Sequence, residues 1–360
     1  MSFEQHINAF AKLSCFMMQF SENGNKNNMC ASNENLNELF FERFEKAIRR
    51  SEQLNPWFTA QSTRMAISGI ADMATREKLE LWVRTFPTEK PVNMPLTIAV
   101  IMAGNLPLVG FHDFISVLFS GHRFLGKMSS KDTVLLPLLA EVLIQIEPKY
   151  KDFIQLTADK ISGFDAVIAT GSNNSARYFE YYFGKHPNII RKNRNSIAVL
   201  TGTETPEMLE NLAHDIYAYF GLGCRNVSKI FLPKNFDITK ILPHFEAYAN
   251  IVQHNKYANN YDYNSTIFSM NRVQHLDNGF MLFREAKELS SPISVMHYDF
   301  YNSNEEILEW ISFYNNELQC IVGQTGFIEN EIPFGKAQFP ELTDYADNLN
   351  VPEFLFKLNF

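Results

Sequence analysis

The chain has no CxxC pair, no GxGxxG or Walker A phosphate loop, and no apolar run of membrane-spanning length. Its four cysteines, Cys15, Cys30, Cys224 and Cys320, are scattered over 360 residues, a spacing that suggests neither a zinc site nor a disulfide framework. Without either glycine-rich loop, a standard Rossmann or P-loop reading has no support. The first residues, Met1 to His6, show no basic stretch leading into an apolar one, so no secretory leader is read there. Positive charge is also scarce: 32 Lys and Arg stand against 40 Asp and Glu, a net charge of −8. That balance argues against nucleic acid or an anionic membrane as the main partner. A soluble, cytoplasmic protein with no metal is expected.

What the chain does have is a core. Residues of hydrophobic type make up 46% and Phe alone contributes 32, enough at this length for two domains or lobes. Residues 59–86 carry helical periodicity, and the Asn-rich stretch 21–37 reads as a loop between two N-terminal helices. From Pro95 the pattern changes. Short apolar strands at 96–101, 123–127, 166–169 and 197–200 alternate with helical runs at 109–118, 133–146 and 174–183. Such alternation predicts a parallel, doubly wound sheet. The expected division is 1–200 for N-terminal helices and a first lobe, 201–345 for a second, and 346–360 for a tail.

Ligands of such sheets bind at the carboxyl ends of the strands. Those ends carry Asn105, then Lys127 with Ser129 and Ser130, and Gly171 with Ser172. The last pair opens a helix, where free N–H groups favour an anion; a plain strand-to-helix turn has the same pattern. Further on, Thr205 can cap a helix that begins at Pro206 and runs with helical spacing through Tyr219. Gly221 and Gly223 are expected to stop it, and 227–232 reads as a strand. Between them sits Cys224. Arg225 and Lys229 beside it favour a thiolate, which suits a nucleophile; a small buried core cysteine fits the segment equally well. The stretch 255–264, rich in Asn and Tyr, reads as a surface loop or the mouth of a substrate site.

Taken in order, these segments resemble the aldehyde dehydrogenase superfamily. The closest likeness is to its branch of fatty acyl-CoA and acyl-protein thioester reductases, the reductase component of bacterial bioluminescence. Gly104-Asn105-Leu106-Pro107-Leu108 is similar to PWNFPL, Leu125-Gly126-Lys127-Met128-Ser129-Ser130 to LKPSE, and Ala169-Thr170-Gly171-Ser172 to FTGS. Gly221-Leu222-Gly223-Cys224 is similar to GQxC, and Glu288-Leu289-Ser290-Ser291-Pro292 to ExFGP. The segments 183–191, 334–338 and 344–347 resemble the thioester-reductase branch in particular. The resemblance implies an α/β fold of two doubly wound parallel-sheet lobes with the active site in the cleft between them. It makes Cys224 the nucleophile and Asn105 an oxyanion donor. It gives Lys127 and Glu288 to the cofactor riboses, places Ser129 and Ser130 beside the adenosine, and sets Gly171 and Ser172 near the pyrophosphate.

Two departures refine this. Hydrolytic members carry a Glu base in an ELGGK segment, where this chain reads Arg191-Lys192-Asn193-Arg194-Asn195; without the carboxylate, water is harder to activate. The acidic residue of LKPSE is replaced by Ser130, followed by Lys131, an exchange that favours a 2′-phosphate and hence NADPH. The implied activity is NADPH-dependent reduction of an acyl thioester, from acyl-CoA or an acyl-carrier protein, to an aldehyde through an acyl-cysteine. A cysteine acyltransferase or thioesterase without hydride transfer, and a non-catalytic binding subunit, are the alternatives. His112, His186, His214, His254 and His297 are candidate proton donors, each also readable as structural. A homodimer is the default assembly.

Overall fold

The computed structural model describes residues 1–22, 24, 34–88, 90–92 and 94–358. The chain divides into two units, Met1–Lys192 with Pro340–Phe360, and Asn193–Phe339, whereas the sequence places the boundaries at 200/201 and 345/346. Each unit is built on its own sheet.

In the first unit a parallel sheet of five strands runs in the order β3-β2-β1-β4-β5. They are β1 (Thr97–Ile101), β2 (Arg123–Lys127), β3 (Ile154–Thr157), β4 (Ala166–Thr170) and β5 (Asn188–Arg191). Central β1 and β4 are buried almost throughout, as continuous apolar strands covered on both faces should be. Six helices are built around this sheet: α1 (Phe3–Met17), α2 (Glu34–Leu54), α3 (Ala60–Met73), α4 (Arg76–Val83), α5 (Phe111–Ser120) and α6 (Leu135–Ile146). Rings of Phe10, Phe111, Phe114 and Phe119 meet in this core. The abundant phenylalanine is therefore core here. A seventh helix, α7 (Asn173–Phe183), buries only Ala176 and leaves Tyr178, Tyr181 and Tyr182 exposed.

The second unit carries six strands in the order β11-β6-β7-β10-β9-β8. They are β6 (Asn195–Val199), β7 (Val227–Pro233), β8 (Leu276–Asp277), β9 (Leu282–Glu285), β10 (Val295–Tyr301) and β11 (Leu318–Gly323). All neighbours are parallel except the β8–β9 edge. Three helices belong to it: α8 (Pro206–Tyr217), α9 (Asn255–Met270) and α10 (Asn304–Tyr314), while α11 (Val351–Phe356) returns to the first unit.

Two local expectations are corrected. Residues 255–264 form the start of α9, not a loop: His254 caps the helix and the Tyr257 hydroxyl donates to the Phe280 carbonyl at 3.0 Å. Buried tertiary contacts override the turn-forming tendency of asparagine. Helix α8 ends at Tyr217, before either glycine, because Tyr219 and Phe220 turn left-handed. Among the cysteines, Cys224 and Cys320 are in no disulfide. Cys15 is disulfide-bonded, a pairing that tertiary proximity decides and sequence spacing does not show. Cys30, and most of the expected loop 21–37, lie outside the described residues. Among the described residues no helix is long and apolar enough to cross a membrane, and no group of acidic, His and Cys side chains could hold a metal.

His6 on α1 is buried with its Nδ1 at 2.7 Å from the Tyr150 hydroxyl. Burial holds its pKa down at about 3. The unfolded chain therefore binds a proton below about pH 6.5 that the folded chain refuses, so stability falls as pH drops through that value. Between pH 6 and 4, the wild-type chain should lose about 1.4 kcal/mol per pH unit more than His6→Gln. Urea unfolding across this range measures it; parallel pH dependences would refute the assignment.

Candidate active site

The first-unit candidates share one edge of one sheet. Asn105 follows β1, Lys127 closes β2 with Ser129 and Ser130 just beyond, and Gly171 with Ser172 follows β4. Since β2, β1 and β4 are adjacent and parallel, these three turns lie side by side. They also touch. A Cβ on Gly104 would come within 2.7 Å of the Ser129 Cβ, so only glycine lets the first two turns pack this closely. The Leu108 N–H donates to Asp132 Oδ2 at 2.9 Å, tying the same turns again. The Lys127 ammonium donates to the carbonyls of Met128 and Ala158, at the ends of β2 and β3. Ser172 caps α7, its hydroxyl accepting from the Ser175 N–H at 3.2 Å. A Cβ on Gly171 would press within 2.8 Å of Phe179 and Ser175, so this glycine lets the strand run straight into the helix. Behind the edge, Arg191 and Asp113 form a buried bidentate ion pair at 2.7 and 2.9 Å.

Cys224 and Glu288 belong to the second unit. Cys224 is exposed, on a turn entering β7. That turn is preceded by three consecutive left-handed residues, Tyr219 (φ 51°), Phe220 (φ 61°) and Gly221 (φ 75°). A non-glycine residue held there costs on the order of 1–2 kcal/mol, so the surroundings must impose it. They do so through Asn226. Its buried amide accepts from the Gly223 N–H at 2.8 Å and donates to the carbonyls of Asp215, Ile216 and Ala218. The Phe220 ring adds a contact with His254 at 4.4 Å. The Cys224 carbonyl accepts from the Ser196 hydroxyl at 2.8 Å, and that hydroxyl also lies 3.0 Å from the Cys320 sulfur.

The two cations read as thiolate partners have other work. Arg225 Nε donates to the Ala337 carbonyl. Ala337 and Gly335 in turn donate their N–H groups to Asp215 at 3.0 and 2.6 Å, and burial pushes that carboxyl up to about 6. The segment 334–338 is thus moored to the end of α8. Lys229 is fully buried, and its ammonium donates to the carbonyls of Ala286 and Lys287 at 2.7 and 3.1 Å, beside Asp299 Oδ2 at 3.4 Å. The sequence reading missed this because it placed Lys229 by its neighbours along the chain.

Glu288 sits on the segment that leaves β9. It is exposed, and its own backbone N–H, helped by Arg284 at 4.0 Å, holds its carboxyl below the ordinary glutamate value. It therefore presents an acceptor at neutral pH. The candidate histidines have structural partners: His112 with the Leu342 carbonyl, His214 with the Tyr248 hydroxyl, His297 with the Glu288 carbonyl, His254 as the α9 cap, and His186 against Phe164.

This geometry can be set beside known proteins. No protein-family profile matches the chain. Aldehyde dehydrogenase 21 from Physcomitrella patens, solved with succinate, superposes with a TM-score of 0.61 at 12% identity, covering 97% of this chain and 83% of that one. An aldehyde dehydrogenase from Mycobacterium tuberculosis, solved with NAD+, gives 0.63 at 12% identity, covering 90% and 74%. The fold is that of the aldehyde dehydrogenases. In sequence, the chain resembles the long-chain acyl-protein thioester reductase of Vibrio harveyi, 21% identical over 225 residues. That match takes in 57% of this chain and 45% of the length of that protein.

Within this aldehyde-dehydrogenase fold, Asn226 is the residue that sequence patterns did not single out. An asparagine two residues after a candidate nucleophile carries no signal until α8 is seen to end beside it. Asn226→Ala should cost about 2–4 kcal/mol, since it orphans several buried backbone groups. Asn226→Asp keeps only the acceptor for Gly223, so it should also destabilise. Urea unfolding of both variants checks this, and a loss under 1 kcal/mol in each would rule out the clamp.

Proposed function

We propose that this protein reduces an acyl thioester, delivered by CoA or an acyl-carrier protein, to an aldehyde with NADPH, through an acyl group carried on Cys224. The observation that carries the reading is an exposed thiol on a turn whose strained backbone is pinned by a buried side chain. Strain of this kind is kept where a group must be presented.

The donor set on the first sheet suits an anionic dinucleotide. One ammonium, Lys127, and the hydroxyls of Ser129 and Ser130 stand at the end of β2, and the N-terminus of α7 at Ser172 stands at the end of β4, with only β1 between the two strands. The carboxylate two residues beyond Ser130, Asp132, is turned to the Leu108 N–H. With Lys131 alongside, this supports a 2′-phosphate over a free 2′-hydroxyl and so NADPH over NADH. Glu288 would accept from the nicotinamide ribose. When bound, the cofactor would supply the hydride that takes the acyl group to the aldehyde level.

The chain's own residues do the rest. The Cys224 thiolate attacks the thioester carbonyl. Negative charge on the oxygen is met by the Cys224 N–H and, in this reading, by the Asn105 amide, each donor contributing on the order of 3 kcal/mol. The carrier thiol leaves and the acyl group stays on sulfur. Its survival is favoured by the lack of a carboxylate base in 191–195, which read Arg191-Lys192-Asn193-Arg194-Asn195.

Intact mass after incubation with a series of acyl-CoAs, before and after NADPH, tests the reading beside Cys224→Ala. The expected result is an acyl adduct that requires Cys224 and disappears with NADPH as aldehyde accumulates. Asn105→Ala should slow its formation by about 100-fold. An adduct that neither NADPH nor NADH discharges would replace reduction with acyl transfer. A chain that neither acylates nor binds dinucleotide would refute an enzymatic role on this substrate class.

A further inference from the structure

Four consecutive carbonyls around Glu288 are each taken by a side chain. Lys229 donates to those of Ala286 and Lys287, His297 Nδ1 to that of Glu288 at 3.1 Å, and Ser228 to that of Leu289 at 3.2 Å. The Ala286 N–H adds a bond to the Tyr298 carbonyl at 3.0 Å. Irregular backbone rarely receives such attention. Where it does, the segment has lost much of its freedom, because moving the carbonyls of 286–288 strips partners from the buried Lys229 and His297.

We propose that Lys229 is the positioning residue for the nicotinamide-ribose acceptor, fixing the 286–289 segment so that Glu288 is presented in one orientation. This rests on the reading of Glu288 as a cofactor residue. The ammonium has three N–H donors and the structure gives it three oxygens, the third being Asp299 Oδ2 at 3.4 Å. Asp299 also pairs with the exposed Lys287 at 3.1 Å, which holds the segment from its outer side. The rings of Phe231 and Trp310 lie 4.9 and 5.5 Å from the same ammonium. Burying this charge is expensive, so a neutral residue would be the easier choice for packing alone. A charged donor reaching two successive carbonyls is what packing alone does not require.

The placement has a corollary. Ser228 and Lys229 are the second and third residues of β7, the strand that Cys224 enters. The single Ser228 O–H lies between the Leu289 carbonyl and the Ser196 carbonyl at 3.3 Å, and Ser196 holds the Cys224 carbonyl. One strand therefore carries the nucleophile at its start and the anchors of the cofactor segment directly after it.

The test uses the full chain and Lys229→Met, with NADPH binding followed by tryptophan fluorescence. Iodoacetamide alkylation of Cys224 is followed against pH, and amide exchange at 286–289 by mass spectrometry. The inference expects a Kd for NADPH raised by about tenfold, the scale of one or two charge-assisted hydrogen bonds. It also expects faster exchange at 286–289 and an unchanged alkylation profile. Because removing a buried charge can unfold the unit, Ser228→Ala serves as a second probe. It should stay folded with a melting temperature lowered by only a few degrees, while raising the NADPH Kd by about threefold. An unchanged Kd in a folded variant overturns the proposal. So does an alkylation profile displaced to higher pH with Kd unmoved, which would return Lys229 to the thiol. If the wild-type chain binds no dinucleotide, the cofactor reading itself fails, and the exchange result then shows a purely structural anchor.

Discussion

Backbone that leaves regular structure inside a protein must still pair its N–H and C=O groups away from water. The second unit depends on that constraint being met by side chains. Asn226 satisfies one amide and three carbonyls where α8 gives way to the Cys224 turn. Lys229, Ser228 and His297 satisfy the segment around Glu288, and Asp215 satisfies the amides of Gly335 and Ala337. These residues are buried or nearly so, polar, and each holds an irregular segment in place. Regular strands and helices supply the frame, but the candidate site residues sit where the frame stops.

This explains what could be read in the sequence. The strands at 97–101 and 166–170 stand almost where period and composition place them, since each is a short apolar run bounded by turn residues. The Thr205 cap and Pro206 start of α8 are local signals and hold locally. The motif segments fall at strand ends because a parallel sheet leaves its loops there. Strands β3 and β5, at the edges of the first sheet, and β9 to β11 were not legible: they are short or half-polar, and pairing with neighbours makes them strands.

The candidate site was legible as a list of residues and not as an arrangement. Lys229 illustrates the gap. Five residues after Cys224 along the chain it looks like a partner for the thiolate, yet its ammonium lies among the carbonyls of residues more than fifty positions away. Asn226 is the reverse case, a residue with no motif value whose amide decides the path of the turn that carries Cys224. In both, the deciding information is which distant backbone groups come within reach, and no spacing rule carries that.

The return of the last residues to the first unit has a consequence for how the protein is made. His112 and His122 reach the carbonyls of Leu342 and Leu355, Trp82 reaches the Tyr345 hydroxyl, and Val351 and Leu355 are fully buried. These partners leave the ribosome only after all of 193–339. A nascent chain thus holds an unfinished first core, with apolar surface open along α4 and α5, throughout synthesis of the second unit. The second unit is contiguous and can close as it emerges, so the unit begun first is the one sealed last.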